Sequence, residues 1–214
     1  MKKIALFIFD LDGTLIDSKR DIAFSVHHTM KILGLPPILD EVIYSFVGNG
    51  VTPLIQQAVE TAGEVDFQEA LSIFREHYQA HCLDTTKPFP GILEVIRHFS
   101  KTPKVVITNK SQGFSDTIIK GLGMTPSFLG IYGGDTNFPK KPDPALVHHL
   151  LQSLGATPES AVIIGDSRVD IETGKNAGIM TCGVTWGFRP KEELVESQPD
   201  YLIDRPGDLL NLFK

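Results

Sequence analysis

Short apolar runs rich in Val, Ile and Phe recur along this chain, and longer segments with helical spacing separate them. The runs are IALFIF (4–9), KVVITN (104–109), AVIIGD (161–166), TCGVTW (181–186) and YLI (201–203). Strands that are apolar on both faces are typical of a parallel sheet covered by helices on both sides. The alternation of such strands with helices predicts an α/β fold with a Rossmann-like parallel sheet core.

One interval is too long for a simple crossover between two parallel strands. About 90 residues separate the first run from KVVITN, whereas a crossover needs only about a dozen. Three segments within this interval carry apolar residues three and four positions apart: RDIAFSVHHTMKILG, TPLIQQAVETAG and FQEALSIFREHYQAH. We therefore expect residues 17–85 to form an inserted helical cap domain, and residues 1–16 and 86–214 to form the α/β core domain.

The charge balance excludes several classes of partner. With 20 Lys and Arg against 26 Asp and Glu, the formal net charge is -6, and the sequence holds no basic run. This composition argues against nucleic acid or an anionic membrane as the main partner and leaves a small metabolite. The chain also has no apolar run long enough to span a membrane, and the residues after Met1 make a poor signal peptide. We expect a cytoplasmic protein that is a monomer or a homodimer.

Polar side chains follow several of the predicted strands at the point where each strand ends. Because the carboxyl ends of parallel strands meet at one edge of a sheet, we expect these side chains to converge on one crevice. The residues placed in this way are Asp10 and Asp12 after the first run, Thr108 and Asn109 after the second, and Asp166 after the third. Lys141 lies in the later loop FPKKPDP, which is expected to reach the same crevice.

Clustered carboxylates next to a buried strand repel one another unless a hard cation neutralises them. We therefore expect a Mg²⁺ site whose ligands are Asp10, Asp166 and the backbone carbonyl of Asp12. A bound metal favours a phosphate group as substrate. The predicted donors to that phosphate are Lys141, Thr108, Asn109 and the backbone N–H groups of the turn at residues 12–14.

Four motifs in this order resemble those of the haloacid dehalogenase superfamily. They are DLDGT (10–14), TN (108–109), the lysine of KKPDP (140–144) and GDSRVD (165–170), and they extend over most of the chain. The resemblance implies that Asp10 is a nucleophile and that Asp12 is a general acid and base. It also implies a phosphate-binding hydroxyl, a lysine that steadies the phosphoryl group, a magnesium ligand and a second acidic position, which are Thr108, Lys141, Asp166 and Asp170.

Within that superfamily, three segments are most similar to phosphoglycolate phosphatases: TNK (108–110), GGDTNFPKKPDP (133–144) and VGNG (47–50). This similarity implies a Mg²⁺-dependent phosphatase that acts through an aspartyl-phosphate, with 2-phosphoglycolate as the first substrate to test. The cap would close over that substrate and exclude water.

Other functions remain open from the sequence. A phosphatase or pyrophosphatase that acts on another small metabolite uses the same residues, as does a phosphosugar mutase with a longer-lived aspartyl-phosphate. A signalling switch would instead hold a stable phosphate on Asp10. Thr108 and Asn109 also suit a helix cap, and Asp170 suits either a position next to the metal site or a helix surface.

Overall fold

A parallel six-stranded sheet forms the centre of the protein, whose computed structural model describes residues 1–63 and 65–214. Its strand order is β5-β4-β1-β6-β7-β8, and every pair of neighbours is parallel. The α/β class predicted from the sequence is therefore confirmed. The strands of the described residues are β1 (Leu6–Phe9), β2 (Ile16–Asp17), β3 (Lys87–Pro88), β4 (Lys104–Ile107), β5 (Gly130–Tyr132), β6 (Ala161–Gly165), β7 (Met180–Val184) and β8 (Tyr201–Ile203).

Ten α-helices of the described residues surround the sheet or lie in the insertion. They are α1 (Lys19–Ile32), α2 (Asp40–Phe46), α3 (Val51–Ala62), α4 (Phe67–His81), α5 (Ile92–His98), α6 (Gln112–Gly121), α7 (Ala145–Leu154), α8 (Arg168–Ala177), α9 (Lys191–Glu196) and α10 (Leu209–Leu212). None of them is long and apolar enough to cross a membrane.

The central strand β1 shows why its sequence is apolar throughout. Successive side chains of a strand point to opposite faces, and both faces are covered here. Phe7 and Phe9 belong to the apolar cluster that includes residues of α5 and α6, whereas Leu6 and Ile8 belong to the cluster that includes residues of α7. All four side chains are buried. A polar residue on either face would lose its hydration, so the run becomes polar only where the strand ends.

Helices α1–α4 lie between β2 and β3, a short antiparallel pair that the sequence did not predict. This pair brings the start and the end of the insertion together. Next to it, the Asp21 carboxylate of α1 accepts hydrogen bonds from the backbone N–H and hydroxyl groups of both Thr85 and Thr86. Buried side chains of the insertion are continuous with one apolar cluster of the sheet. The division of the chain into a cap domain at residues 17–85 and a core domain stays a prediction.

Candidate active site

Three carboxylates converge beyond the carboxyl ends of β1 and β6. Asp10 follows β1 directly, Asp166 follows β6, and Asp170 lies in the first turn of α8. One oxygen from each of the three carboxylates lies within 4.8 Å of the other two, and all three residues are buried. β1 and β6 are neighbours in register, with Phe9 opposite Ile164, so their ends place Asp10 and Asp166 side by side. Asp10 and Asp166 therefore converge as the sequence predicts.

Lys141 links two of these carboxylates. Its Nζ lies 2.7 Å from Asp10 Oδ1 and 2.5 Å from Asp170 Oδ1. Asp170 is fully buried, and its second oxygen accepts hydrogen bonds from the backbone N–H and the hydroxyl of Ser167, at 3.2 and 2.6 Å. The sequence left Asp170 open between a position next to the metal site and a helix surface. The structure places it within the carboxylate cluster, where it holds both Lys141 and the start of α8.

The electrostatics of this cluster favour a bound cation. The pKa of Asp10 is raised to about 7: burial is the largest cause, the charge of Lys141 opposes it, and the charges of Asp170 and Asp12 add to the rise. Burial also raises the pKa of Asp166, together with the charges of Asp10 and Asp170. These carboxylates are costly to ionise without a counter-charge. Their oxygen donors are of the kind that Mg²⁺ and other hard cations take, so the residues present fit a metal.

Glycine permits the close approach of the turn after β1 to this cluster. Gly13 has a φ of +83°, and a Cβ at this position would overlap the Asp166 carboxylate. A side chain would therefore be both strained and obstructed here. The backbone at residue 13 therefore lies directly against the Asp166 carboxylate.

The Asp12 carboxylate is not part of the buried cluster and has different partners. It accepts hydrogen bonds from Ser18 Oγ at 2.5 Å and from Lys110 Nζ at 2.9 and 3.0 Å. Burial alone would lower the pKa of Lys110, but the charge of Asp12 raises it above its usual range. Sequence reasoning did not assign a role to Lys110. The available signal was its position directly after the TN pair at the end of β4.

Asn109 has a structural role beside the predicted one, which is that its side chain binds phosphate. Asn109 Nδ2 donates to the backbone oxygens of Gly48 and Lys141, and Oδ1 accepts from the Lys141 N–H. An amide has two N–H donors, and both are used in these contacts. These contacts hold the backbone of Lys141 and the loop at residues 47–50, and phosphate binding by Asn109 stays a prediction; the buried Thr108 lines the pocket.

A pocket lies between the strand ends and the insertion. The sheet side contributes Asp10, Asp12, Thr108 and Lys110, and α6 contributes Phe114. The insertion contributes mostly apolar residues from α1, α3, α4 and the loop before α3, namely Ile22, Val47, Gly48, Gly50, Val51, Leu54, Phe74 and Tyr78. The charged groups therefore lie on the sheet side of a pocket whose opposite wall is apolar.

Arg189, in the segment after β7, contacts the end of α2 and the start of the loop at residues 47–50. Its guanidinium donates to the backbone oxygens of Ser45 and Val47, at 2.6 and 2.5 Å. Together with the Asn109–Gly48 hydrogen bond of 3.3 Å, these contacts hold the loop over the pocket. Arg189 was not predicted because its role depends on a loop that is distant in the sequence.

Buried aspartates and a lysine thus lie together at the carboxyl edge of a parallel sheet, which is where enzymes of open α/β folds bind their ligands. The chain belongs to the haloacid dehalogenase-like hydrolase family, whose model matches residues 7–184. The family resemblance drawn from the sequence motifs is thereby confirmed.

Curated relatives and solved structures agree with this assignment. The chain is 38% identical over 211 residues to a phosphoglycolate phosphatase of Aquifex aeolicus, and the alignment covers 97% of this chain and 95% of that protein. It is 34% identical to a phosphoglycolate phosphatase of Colwellia psychrerythraea, with 96% and 95% covered. Among solved structures, a protein described as a predicted phosphoglycolate phosphatase from Haemophilus somnus 129PT superposes with a TM-score of 0.94 at 27% identity, with 99% of both chains covered. The chain is thus an enzyme of the phosphatase type.

Proposed function

We propose that this protein hydrolyses a small phosphomonoester, and that its substrate is 2-phosphoglycolate, which yields glycolate and phosphate. The observation that carries the proposal is the buried cluster of Asp10, Asp166 and Asp170, in which Lys141 pairs with Asp10 and Asp170 and Asp10 lines the pocket. The substrate assignment is supported by the names of the relatives, which are phosphoglycolate phosphatases.

In the proposed reaction, Asp10 is the nucleophile. Asp12 takes up a proton when the anionic phosphate binds beside it, because a nearby negative charge favours the neutral carboxyl. The Asp10 carboxylate attacks phosphorus in line, the P–O bond to the alcohol breaks, and Asp12 gives its proton to the departing alcohol oxygen. The ionised Asp12 then takes a proton from water, whose oxygen attacks the aspartyl-phosphate and releases Asp10 and phosphate. Lys141, fixed by Asp10 and Asp170, offers a positive charge to the phosphoryl oxygens, and Thr108 offers a hydroxyl.

Asp10, Asp166 and the backbone carbonyl of Asp12 are the residues that would hold Mg²⁺. When bound, the metal would neutralise the buried carboxylates and the negative charge of the phosphoryl group. Helices α1–α4 would act as a cap that keeps bulk water from the aspartyl-phosphate until one water molecule is activated. The partner of the site is therefore a small phosphorylated metabolite.

The test is phosphate release from a panel of small phosphoesters that includes 2-phosphoglycolate, with Mg²⁺ and with a chelator. We expect 2-phosphoglycolate to be preferred and all release to stop on chelation. Metal-dependent release with another preferred ester would overturn the substrate assignment and keep the catalytic one. A phosphorylated protein that persists for hours without turnover would favour a signalling switch, whereas transfer of phosphate within a phosphosugar would favour a mutase.

A further inference from the structure

The pocket contains one lysine that the proposed phosphate chemistry does not use. Lys110 is 9% exposed and lines the pocket beside Asp12. A lysine ammonium carries three N–H donors, and the hydrogen bonds to the two oxygens of Asp12 account for two of them. The lysine is therefore a fixed positive charge in the pocket with capacity for a further acceptor.

A tyrosine from the insertion lies next to this lysine. Tyr78 of α4 is 1% exposed and lines the same pocket, and Lys110 Nζ lies 4.8 Å from the centre of its ring. Its hydroxyl has no hydrogen-bond partner among the described residues. Leaving a buried hydroxyl without a partner is costly, so such groups are usually bonded to protein, water or ligand. An unpartnered hydroxyl beside a lysine suits an anionic group that accepts hydrogen bonds from both.

The surrounding walls restrict what that anionic group can belong to. The pocket around Tyr78 is lined by Ile22, Leu54, Phe74 and Phe114. The hydroxyl groups of a phosphosugar would lose their hydration against these side chains without gaining partners. A short chain with one carboxylate at its end would instead place its charge on Lys110 and its carbon atoms on the apolar wall. This contrast argues against the phosphosugar alternative.

The position of Lys110 also fits the length of the acid. In the proposed reaction Asp12 meets the ester oxygen, and Lys110 contacts Asp12 directly. In a phosphorylated 2-hydroxy acid, a single carbon atom separates the ester oxygen from the carboxylate. The carboxylate is therefore held close to Asp12 whenever the phosphate is in place, which is where Lys110 lies.

We infer that Lys110 and Tyr78 form a carboxylate subsite, which binds the acid group of a phosphorylated 2-hydroxy acid and selects such substrates over neutral phosphoesters. This inference rests on the proposed phosphatase function and adds the residues that recognise the part of the substrate that does not react. Lys110 supplies charge and Tyr78 supplies a hydrogen bond. Because Tyr78 belongs to α4, the same contact joins the insertion to the bound substrate.

The test compares 2-phosphoglycolate with ethyl phosphate, in which a methyl group replaces the carboxylate. The measured quantity is the ratio of kcat/KM for the two esters. We expect Lys110→Met to reduce this ratio about 100-fold and Tyr78→Phe to reduce it about 10-fold, because each removes a hydrogen bond to a charged group. Effects of Lys110→Met on Asp12 reach both esters, and Tyr78→Phe, which removes a hydroxyl that does not hydrogen-bond Asp12, tests the ratio without them. Lys120→Met, on the exposed face of α6, is the matched control and should leave the ratio unchanged.

The outcomes separate this inference from the proposed function. A wild-type ratio far above one that is the same in both variants would overturn the carboxylate subsite and keep the phosphoglycolate assignment. Metal-dependent phosphatase activity with a wild-type ratio near or below one would overturn both. Tyr78→Phe retains the ring that stacks on Phe74, so it provides a folded test protein even where Lys110→Met is unstable.

Discussion

The two ends of the pocket are organised in different ways. At the phosphate end, Asp170 is held by Ser167, and Lys141 is held by Asp10 and Asp170, so the charged side chains there are fixed before any substrate arrives. At the other end, the Tyr78 hydroxyl has no partner among the described residues, and the walls come from inserted helices. The comparison indicates that the charged groups at both ends are fixed by the sheet side of the pocket, whereas the hydrogen bonding of Tyr78 is completed only when a ligand binds.

The phosphate end should be the more sensitive to a single change. Asp10→Asn keeps the size of the side chain but removes the nucleophilic carboxylate. We expect kcat to fall at least about 1000-fold with 2-phosphoglycolate. The check is steady-state phosphate release, with circular dichroism to confirm the fold. An Asp10→Asn protein with full activity would refute the aspartyl-phosphate mechanism.

Asp170 tests whether the rigidity of the phosphate end matters apart from its chemistry. Asp170→Asn leaves Lys141 with one carboxylate instead of two and weakens the contacts with Ser167. We expect kcat to fall about 100-fold, because Lys141 loses its fixed orientation. The readout is kcat and KM measured separately. A change confined to KM would contradict a positioning role. Glu172→Gln, on the outer side of α8, serves as the control.

The metal-free phosphate end should lose stability as the pH rises. Burial raises the pKa of Asp10 to about 7, so between about pH 4 and pH 7 the folded state retains a proton that the unfolded state has released. The contribution of Asp10 to the free energy of unfolding is therefore fully present below about pH 4. It falls by at most about 4 kcal/mol as the pH rises through that window. The measurement is the free energy of unfolding in chelator from pH 5 to pH 8, for the wild-type protein and Asp10→Asn.

We expect the free energy of unfolding of the wild-type protein to fall relative to that of Asp10→Asn as the pH rises. Added Mg²⁺ should reverse this fall. Parallel pH profiles for the two proteins would contradict a costly buried charge at Asp10. No effect of Mg²⁺ on the wild-type profile would count against the proposed metal ligands. The comparison with the substituted protein removes the contribution of titrating groups distant from Asp10, whereas Asp166, whose pKa the charge of Asp10 raises, contributes to the measured difference.

Asp21 probes how firmly the insertion is attached to the core. It is 2% exposed, and the backbone N–H groups of Thr85 and Thr86 donate to it at 3.0 and 2.9 Å. Asp21→Asn replaces one accepting oxygen with an N–H group and sets donors against each other. We expect the free energy of unfolding to fall by about 2–3 kcal/mol. Chemical denaturation measures this, with the exposed Asp84→Asn as control. An equal effect of both substitutions would show that Asp21 does not anchor the insertion.

The two ends of the pocket also differ in how far they could be predicted. Asp10 and Asp166 follow strands whose apolar character is evident in the sequence, and parallel strands bring their ends together. The sheet and the convergence of these two residues could therefore be predicted from the sequence. Lys110 and Tyr78 meet only because α4 lies against the segment that follows β4, and no local sequence pattern predicts that contact. The position of Asn109 after β4 could be predicted, but its hydrogen-bond partners could not, because they lie in two loops distant in the sequence.

Arg189 gives the smallest expected effect and tests whether the loop at residues 47–50 belongs with the fixed or the adaptable end. Its guanidinium holds the Ser45 and Val47 carbonyls, while Asn109 holds Gly48 independently. Arg189→Met should loosen the loop without moving the strand ends. We expect KM for 2-phosphoglycolate to rise about 10-fold, because ordering the loop then draws on binding energy. kcat should change less. Arg205→Met, which removes an exposed arginine, is the control. A fall in kcat with unchanged KM would instead place the loop with the fixed end, because its position would then matter to the reacting groups rather than to the retention of substrate.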